Sequence, residues 1–309
     1  MKEPTVAANS DHAEREEISF SNLERSLRRP RTLLSFFLSS FVTGVTLLAL
    51  VPLFSVLYML AVRGGRALTW ACFTELPPGP MQEGGGFGNA VIGTLVMVGL
   101  AVLISVPFGI LAAVFLAEVG PETRTAHGVR FSAKMLTGFP SILAGVFAYT
   151  AVVLLTGGFS AVAGGIALSI LMLPTVLLTA EEAIAMVPSK MREAAVGMGA
   201  TQTQCVWRIL LPTALPGILT GVMLAVARAA GETAPLLFTA LFSNYWIWQD
   251  GNLELMQPTA SLAVLIYNFS GSPFENQVEM AWAAAFVLVL LVLLVNLAGQ
   301  SISRRSHTK

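Results

Sequence analysis

Residues 193–212 read EAAVGMGATQTQCVWRILLP, a polar and glycine-containing stretch set between two long apolar runs, 159–180 and 214–242. Its local signals alternate. Ser189 follows Pro188 and is placed to cap a short helix through Glu193, Ala194 and Ala195. Gly197 and Gly199 then interrupt that helix, because glycine in a helix interior costs roughly 0.5–1 kcal/mol relative to alanine. Thr201, with Gln204 three residues on, has the spacing of a capping box and starts a second helix through Val206, Ile209 and Leu211 to Pro212. Two short helices joined by a bend make a compact knob with small residues on its surface. Such a surface lets a groove of another protein come close.

Outward from the knob, the chain is built for lipid. Of its 309 residues 55% are hydrophobic and 12% charged, with a mean hydropathy of +0.72. A soluble domain carries about 25% charged residues. Six runs meet or approach the roughly 20 apolar residues that cross a bilayer core: 34–62, 89–117, 134–156, 159–180, 214–242 and 278–300. The expected fold is all-α and polytopic, with six transmembrane helices. The turn Gly157-Gly158 is so short that the third and fourth spans form an antiparallel hairpin.

An even number of spans puts both termini on one side, and the positive-inside rule selects that side. The N-terminal tail, 118–133, 181–213 and the C-terminal tail hold Arg28, Arg29, Arg31, Arg124, Arg130, Lys190, Arg192, Arg208, Arg304 and Arg305. The opposite side has a loop, 243–277, with no Lys or Arg, carrying Asp250, Glu254 and Glu275. Only Arg63 and Arg66 dissent, and they are outvoted. Both termini are therefore expected in the cytoplasm. The domain plan is a tail at 1–32, a six-helix domain at 33–305 with a cytoplasmic loop at 181–213, and a short tail at 306–309. The tail is too long and too acidic for a secretory signal, so the first apolar run reads as a retained anchor. Segment 63–88, with Pro77, Pro78, Pro80 and Gly84-Gly85-Gly86, reads as an irregular external loop.

Several function classes drop out. A net charge of zero gives no basic field for nucleic acid. Cys72 and Cys205 fall on opposite sides of the membrane, which excludes a disulfide, and neither has metal-ligand spacing. His12, His127 and His307 have no partner in view. No GxxxxGK[ST] sequence is present, so no nucleotide-hydrolysing loop of that kind and no catalytic residue are expected.

The fifth run, GILTGVMLAVARAAGETAPLLFTALF, contains Arg228 and Glu232. A charge at a helix centre in lipid costs about 2.5–3.5 kcal/mol on the lenient scale, so two in one span require a reason. Four residues apart in an unbroken helix, they share a face and can pair. One reading is a pair that pins helices together. The other is that Arg228 offers positive charge to an anion in a wet path while Glu232 weakens the hold, since a pathway must release as well as bind. Gly231 and Pro235 flank the pair and would loosen the helix there. Pro140 and Pro174 read as kinks that shape the bundle.

The stretch 193–212 resembles the EAA loop of ABC importer permeases: Glu193, Ala194, Ala195, Gly199, Ile209, Leu211 and Pro212 fill that pattern. The segments GFPSILAGVFAY (138–149), TAEEAIAMVPSKMREAA (179–195) and ALPGILTGVMLAVARAAGETAPLL (214–237) resemble the A subunits of bacterial phosphate-specific importers. The resemblance implies a MetI-like permease with spans two to six as its core and span one peripheral. It implies that the loop sits in a groove of an ATPase subunit, and that Arg228, with Glu232, serves the phosphate pathway. Implied partners are a homologous C subunit in a heterodimer, two ATPase subunits that use the ATP, a periplasmic phosphate-binding protein and the lipid bilayer of the inner membrane. No cofactor is implied for this chain, and no metal. Rival readings are a permease for another oxyanion (phosphonate or sulfate), an ATPase-independent secondary transporter, and a non-transporting scaffold.

Overall fold

The computed structural model describes residues 30–306 apart from positions 83 and 250. The tail with Arg25, Arg28, Arg29 and His12, and also Asp250 and His307, lie outside the described residues. Among the described residues five helices are long and apolar enough to cross a membrane, and a bent pair makes a sixth span when its two parts are counted as one. Helix α1 (Pro30–Met59) is apolar nearly all round, and Thr43 and Thr46 return their hydroxyls to carbonyls four residues earlier at 2.8 Å. Residues Leu60–Gly64 add a π-helical turn. Helix α2 (Gly88–Val114) continues through a second wide turn, Phe115–Val119.

The third span departs from expectation. Residues 134–156 do not form one crossing helix. Helix α3 (Arg124–Thr137) is amphipathic, carries Arg124, Arg130 and Lys134, and is capped by the Thr123 hydroxyl. It meets helix α4 (Ser141–Ala148, prolonged to Thr156) at 107°. The chain breaks at Gly138-Phe139-Pro140, since the residue before a proline is pushed out of the helical region. Only 141–156 remains for the crossing, about 24 Å at helical rise. Helix α5 (Ala161–Ala185), capped by Ser160, follows as the expected hairpin partner and passes through Pro174 without a break.

Helix α6 (Ser189–Gly197) and helix α7 (Gln202–Ala230) come next. The second knob helix does not stop at Pro212. A wide turn at Val206–Leu210 precedes the proline, and the helix runs on into the fifth span. A proline lacks the N–H for one intrahelical bond, and a π-helical turn one step upstream lets the backbone absorb that loss. The fifth span then ends at Ala230, short of the expected 242. A four-residue turn, α8 (Ala234–Leu237), follows.

The expected external loop 243–277 is more than a loop. It holds a two-residue hairpin, β1 (Trp248–Gln249) against β2 (Asn252–Leu253), and a nine-residue helix α9 (Leu262–Ser270). Leu262, Val264 and Leu265 in α9 are fully buried. Nine residues cannot cross lipid, so α9 packs into one end of the bundle. Its first turn is fixed there by Thr94 of α2, whose hydroxyl accepts from the Leu262 amide at 2.9 Å. Asn89, also buried, donates its amide to the carbonyls of Ser243 (2.8 Å) and Tyr245 (3.3 Å). Helix α10 (Glu275–Ser306) closes the chain.

The core runs along α2, α5 and α7, with α10 against α7 and α9. In lipid there is no hydrophobic drive between helices, so association rests on close packing of small residues. At the α2–α5 seam a Cβ on Gly165 would come within 2.7 Å of the Leu100 Cβ, and one on Gly109 within 2.8 Å of Val176. The backbones there are as close as glycine permits.

Candidate functional site

Two groups of residues lie at opposite ends of α7. At its N-terminus, the Thr201 hydroxyl accepts from the Gln204 amide (3.3 Å) and the Gln204 side chain accepts from the Thr201 amide (3.0 Å), the capping box read from the sequence. The preceding helix α6 begins at Ser189, and Pro188 occupies the cap position (φ −56°, ψ 134°) with no side-chain cap. Ser189 is thus the first helical residue and not the cap. Proline already supplies the fixed φ that helix entry needs. Helix α6 ends in a left-handed Gly199 (φ +83°), and Ala200 N–H returns to the Ala195 carbonyl at 3.0 Å. This six-to-one bond is a Schellman termination. It makes the bend between the two helices.

The seven pattern residues divide by burial. Glu193, Ala194, Gly199 and Pro212 are exposed, whereas Ala195 is fully buried and Ile209 and Leu211 pack half-buried against the core. The expectation of small residues on the knob surface therefore fails at Ala195, whose methyl seats α6 on the bundle. Three large residues take the surface instead: Val196, Met198 at 81% exposure, and Trp207 at 60%. The sequence carried that signal in an unexplained Met and Trp within a charged loop.

The knob is tied to the rest of this end by one ion pair and two hydrogen bonds to carbonyls. Arg192 of α6 lies 2.6 Å from Glu118, on the wide turn that ends α2, and donates to the Ile184 carbonyl of α5 at 3.2 Å. Gln202, the first residue of α7, donates to the Glu118 carbonyl at 2.9 Å. Arg130 of α3 donates to Glu181 of α5 (2.6 Å) and to the carbonyls of Pro121 (2.7 Å) and Leu116 (2.8 Å). Both knob helices therefore grip the end of α2, and one arginine clasps α3 to α5.

At the other end of α7, Arg228 Nε lies 3.3 Å from Glu232 Oε1. The pair forms as its spacing suggests, although not within an unbroken helix. Gly231 and Glu232 sit in the turn that leaves α7, with N–H bonds to Arg228 and Ala229. Arg228 is in the last helical turn, where the negative end of the helix dipole favours a cation. Glu232 beyond that end is unfavourably placed toward the dipole, and the guanidinium offsets this. The Arg228 side chain is 45% exposed and Glu232 only 16%. Among the described residues Arg228 makes no other hydrogen bond or ion pair. Both terminal nitrogens of its planar fork remain available, the geometry that suits a bidentate oxyanion. Cys72 and Cys205 are free and buried.

Residues 105–308 match the family model described as the binding-protein-dependent transport system inner membrane component. The chain is similar to the phosphate transport system permease protein PstA of Xylella fastidiosa (strain Temecula1), with 43% identity over 235 residues, 76% of this chain and 80% of that protein. It is similar also to PstA of Yersinia pestis, with 39% identity over 253 residues, 82% of this chain and 84% of that one. Among solved structures, a bacterial alginate ABC transporter in complex with an alginate pentasaccharide-bound periplasmic protein superposes with a TM-score of 0.62 at 16% identity, covering 93% of this chain and 97% of that chain. An inward-facing MetNI methionine ABC transporter gives 0.56 at 23% identity, covering 71% and 93%. These two likenesses carry the MetI-like fold, and the two relatives above, both named as permeases, carry the family. The chain belongs to the PstA family of binding-protein-dependent ABC transport permeases.

Proposed function

We propose that this chain is the transmembrane permease subunit of an ATP-driven, binding-protein-dependent importer of inorganic phosphate. One observation carries the mechanical part. Gln202, which follows the Thr201 cap, and Arg228 stand on a single helix, α7, separated by 26 residues or about 39 Å of helical rise. A push on the knob is a push on the rod that ends at the charge pair.

In this reading the knob, with Glu193, Ala194, Gly199 and Pro212 on its surface and Met198 and Trp207 beside them, docks in a groove of a cytoplasmic ATPase subunit. Ala195, Ile209 and Leu211 seat it on the bundle. ATP binding closes the ATPase pair, the knob moves, and α7 tilts so that the pathway opens outward. Hydrolysis in the partner resets it inward. Arg228 attracts phosphate through its free nitrogens, and Glu232 keeps that hold weak enough for release. A C-type permease subunit completes the pathway, a periplasmic phosphate-binding protein delivers cargo, and both termini face the cytoplasm of an inner-membrane protein. Arg228 by itself suits any oxyanion, and the phosphate relatives select the cargo.

The test is phosphate uptake by cells whose only phosphate permease carries Arg228→Gln. Loss of uptake with normal membrane insertion is expected, and undiminished uptake would defeat the assigned role. Cross-linking from Met198→Cys should capture an ATPase subunit. Capture of none in an assembled, transporting complex would refute the docking.

A further inference from the structure

Arg63 and Arg66 are the two charges that dissent from the positive-inside rule, and the structure gathers them into one cleft. The cleft holds about 430 Å³ and is walled by Arg63, Arg66, Glu275, Glu279 and Trp282. Arg63 and Arg66 stand where the first apolar run ends, on and just after the wide turn Leu60–Gly64. Glu275 and Glu279 lie one turn apart at the start of α10, and Trp282 follows on that helix. The Arg63 guanidinium carbon lies 5.4 Å from the Trp282 ring centroid. Gly64 fixes the wall, since a Cβ there would fall 2.5 Å from the Trp282 carbonyl oxygen.

Opposite charges in a shared cleft normally close on one another. Here, among the described residues, neither arginine comes within 4.0 Å of a carboxylate oxygen. Two cations and two anions, all four solvent-exposed and unpaired with one another, line a volume in the range of small-ligand sites. The matching guest is dipolar, with an anionic group for the arginines and a cationic group for the glutamates. The cleft also lies where two apolar helices meet polar chain, and tryptophan at such a level marks the membrane–water interface. At that depth the abundant dipolar species is a phospholipid headgroup, a phosphodiester linked to an ammonium.

We propose that this cleft binds the headgroup of an aminoethyl phospholipid, with the phosphodiester on Arg63 and Arg66 and the ammonium on Glu275 and Glu279. The bound lipid would strap the end of the first span to the start of α10. The site is independent of the assignment of Arg228.

The experiment is native mass spectrometry of the assembled importer extracted from membranes containing phosphatidylethanolamine and phosphatidylglycerol. The wild type should retain phosphatidylethanolamine. Arg63→Gln with Arg66→Gln should lower that retention by about three- to tenfold, the scale of two partly exposed charge contacts. Glu275→Gln with Glu279→Gln should instead exchange the retained lipid for anionic phosphatidylglycerol, a reversal that general destabilisation does not produce. Identical lipid retention in the wild type and both variants would overturn the proposal. So would displacement of the lipid by millimolar inorganic phosphate, which would make the cleft a site for the free anion.

Discussion

Gly199 gives the most discriminating perturbation, because its backbone conformation and its surroundings separate two effects that usually travel together. Its φ is +83°, and a Cβ built there meets no atom within 4 Å. Inside this chain a side chain at 199 is therefore penalised by backbone strain alone. An L-residue in the left-handed region costs about 1–2 kcal/mol. Valine belongs at the upper end because its branched Cβ narrows the allowed region further, while asparagine, enriched in the left-handed region, belongs at the lower end. A loss of about 2 kcal/mol changes the ratio of formed to unformed termination roughly 30-fold. Thermal unfolding of the isolated subunit in detergent should thus rank glycine close to asparagine, with Gly199→Val clearly below both. Phosphate uptake and ATP hydrolysis by the reconstituted importer then read the second effect. If docking demands a bare backbone at 199, Gly199→Asn will keep its stability and still lose coupled uptake. If the bend alone matters, Gly199→Asn will transport nearly as well as wild type. Gly199→Val with unchanged stability and full coupled uptake would refute the reasoning at its root.

Other outcomes follow from the same geometry. Removing Arg192 strands the Glu118 carboxylate, whose side chain is 12% exposed. Fully buried pairs lose about 3–5 kcal/mol on such a change, and the 32% exposure of Arg192 lowers this to about 1–2 kcal/mol. A double-mutant cycle of Arg192→Ala with Glu118→Gln, read by thermal unfolding, should show the second change relieving much of the first, and strict additivity would contradict a coupled pair. Arg228→Lys keeps the charge and removes the planar fork, so phosphate uptake should fall by about tenfold without being abolished, and full uptake would show that a point charge suffices. Thr94→Val leaves the Leu262 amide without its acceptor at a fully buried position, and about 1–3 kcal/mol of stability should be lost. An unchanged melting temperature would mean that α9 is held by packing alone.

Sequence reading located spans one, two, four and six because each is a run of apolar residues long enough to cross, the property that lipid imposes. It misplaced the edges of the other two for definable reasons. At 134–156 a hydropathy window merged the end of α3 (Met135, Leu136) with the true crossing, although Pro140 and the four-residue spacing of Arg130 and Lys134 already marked a surface helix and a break. At Pro212 the proline looked like a stop because the wide turn at Val206–Leu210, which admits it, is a tertiary accommodation with no local signature. Helix α9 escaped because burial in a protein end-cap needs only nine residues, too few for any membrane window.

The charge pair was legible in its partners and not in its setting. The i, i+4 spacing is present, and the helix ends between the two residues at Ala230. That ending matters for the phosphate pathway proposed above. A pair inside a continuous helix would be locked by the same backbone that carries both members, and the guanidinium would be committed. Glu232 stands on the turn beyond α7, so withdrawal of its carboxylate from Arg228, as the proposal requires, breaks no hydrogen bond of the α7 helix. Under the proposed mechanism the site then strengthens or weakens its hold on phosphate as the helix moves. In that proposal, rigid coupling from the knob and a releasable counter-charge at the far end are both supplied by one helix and the place where it stops.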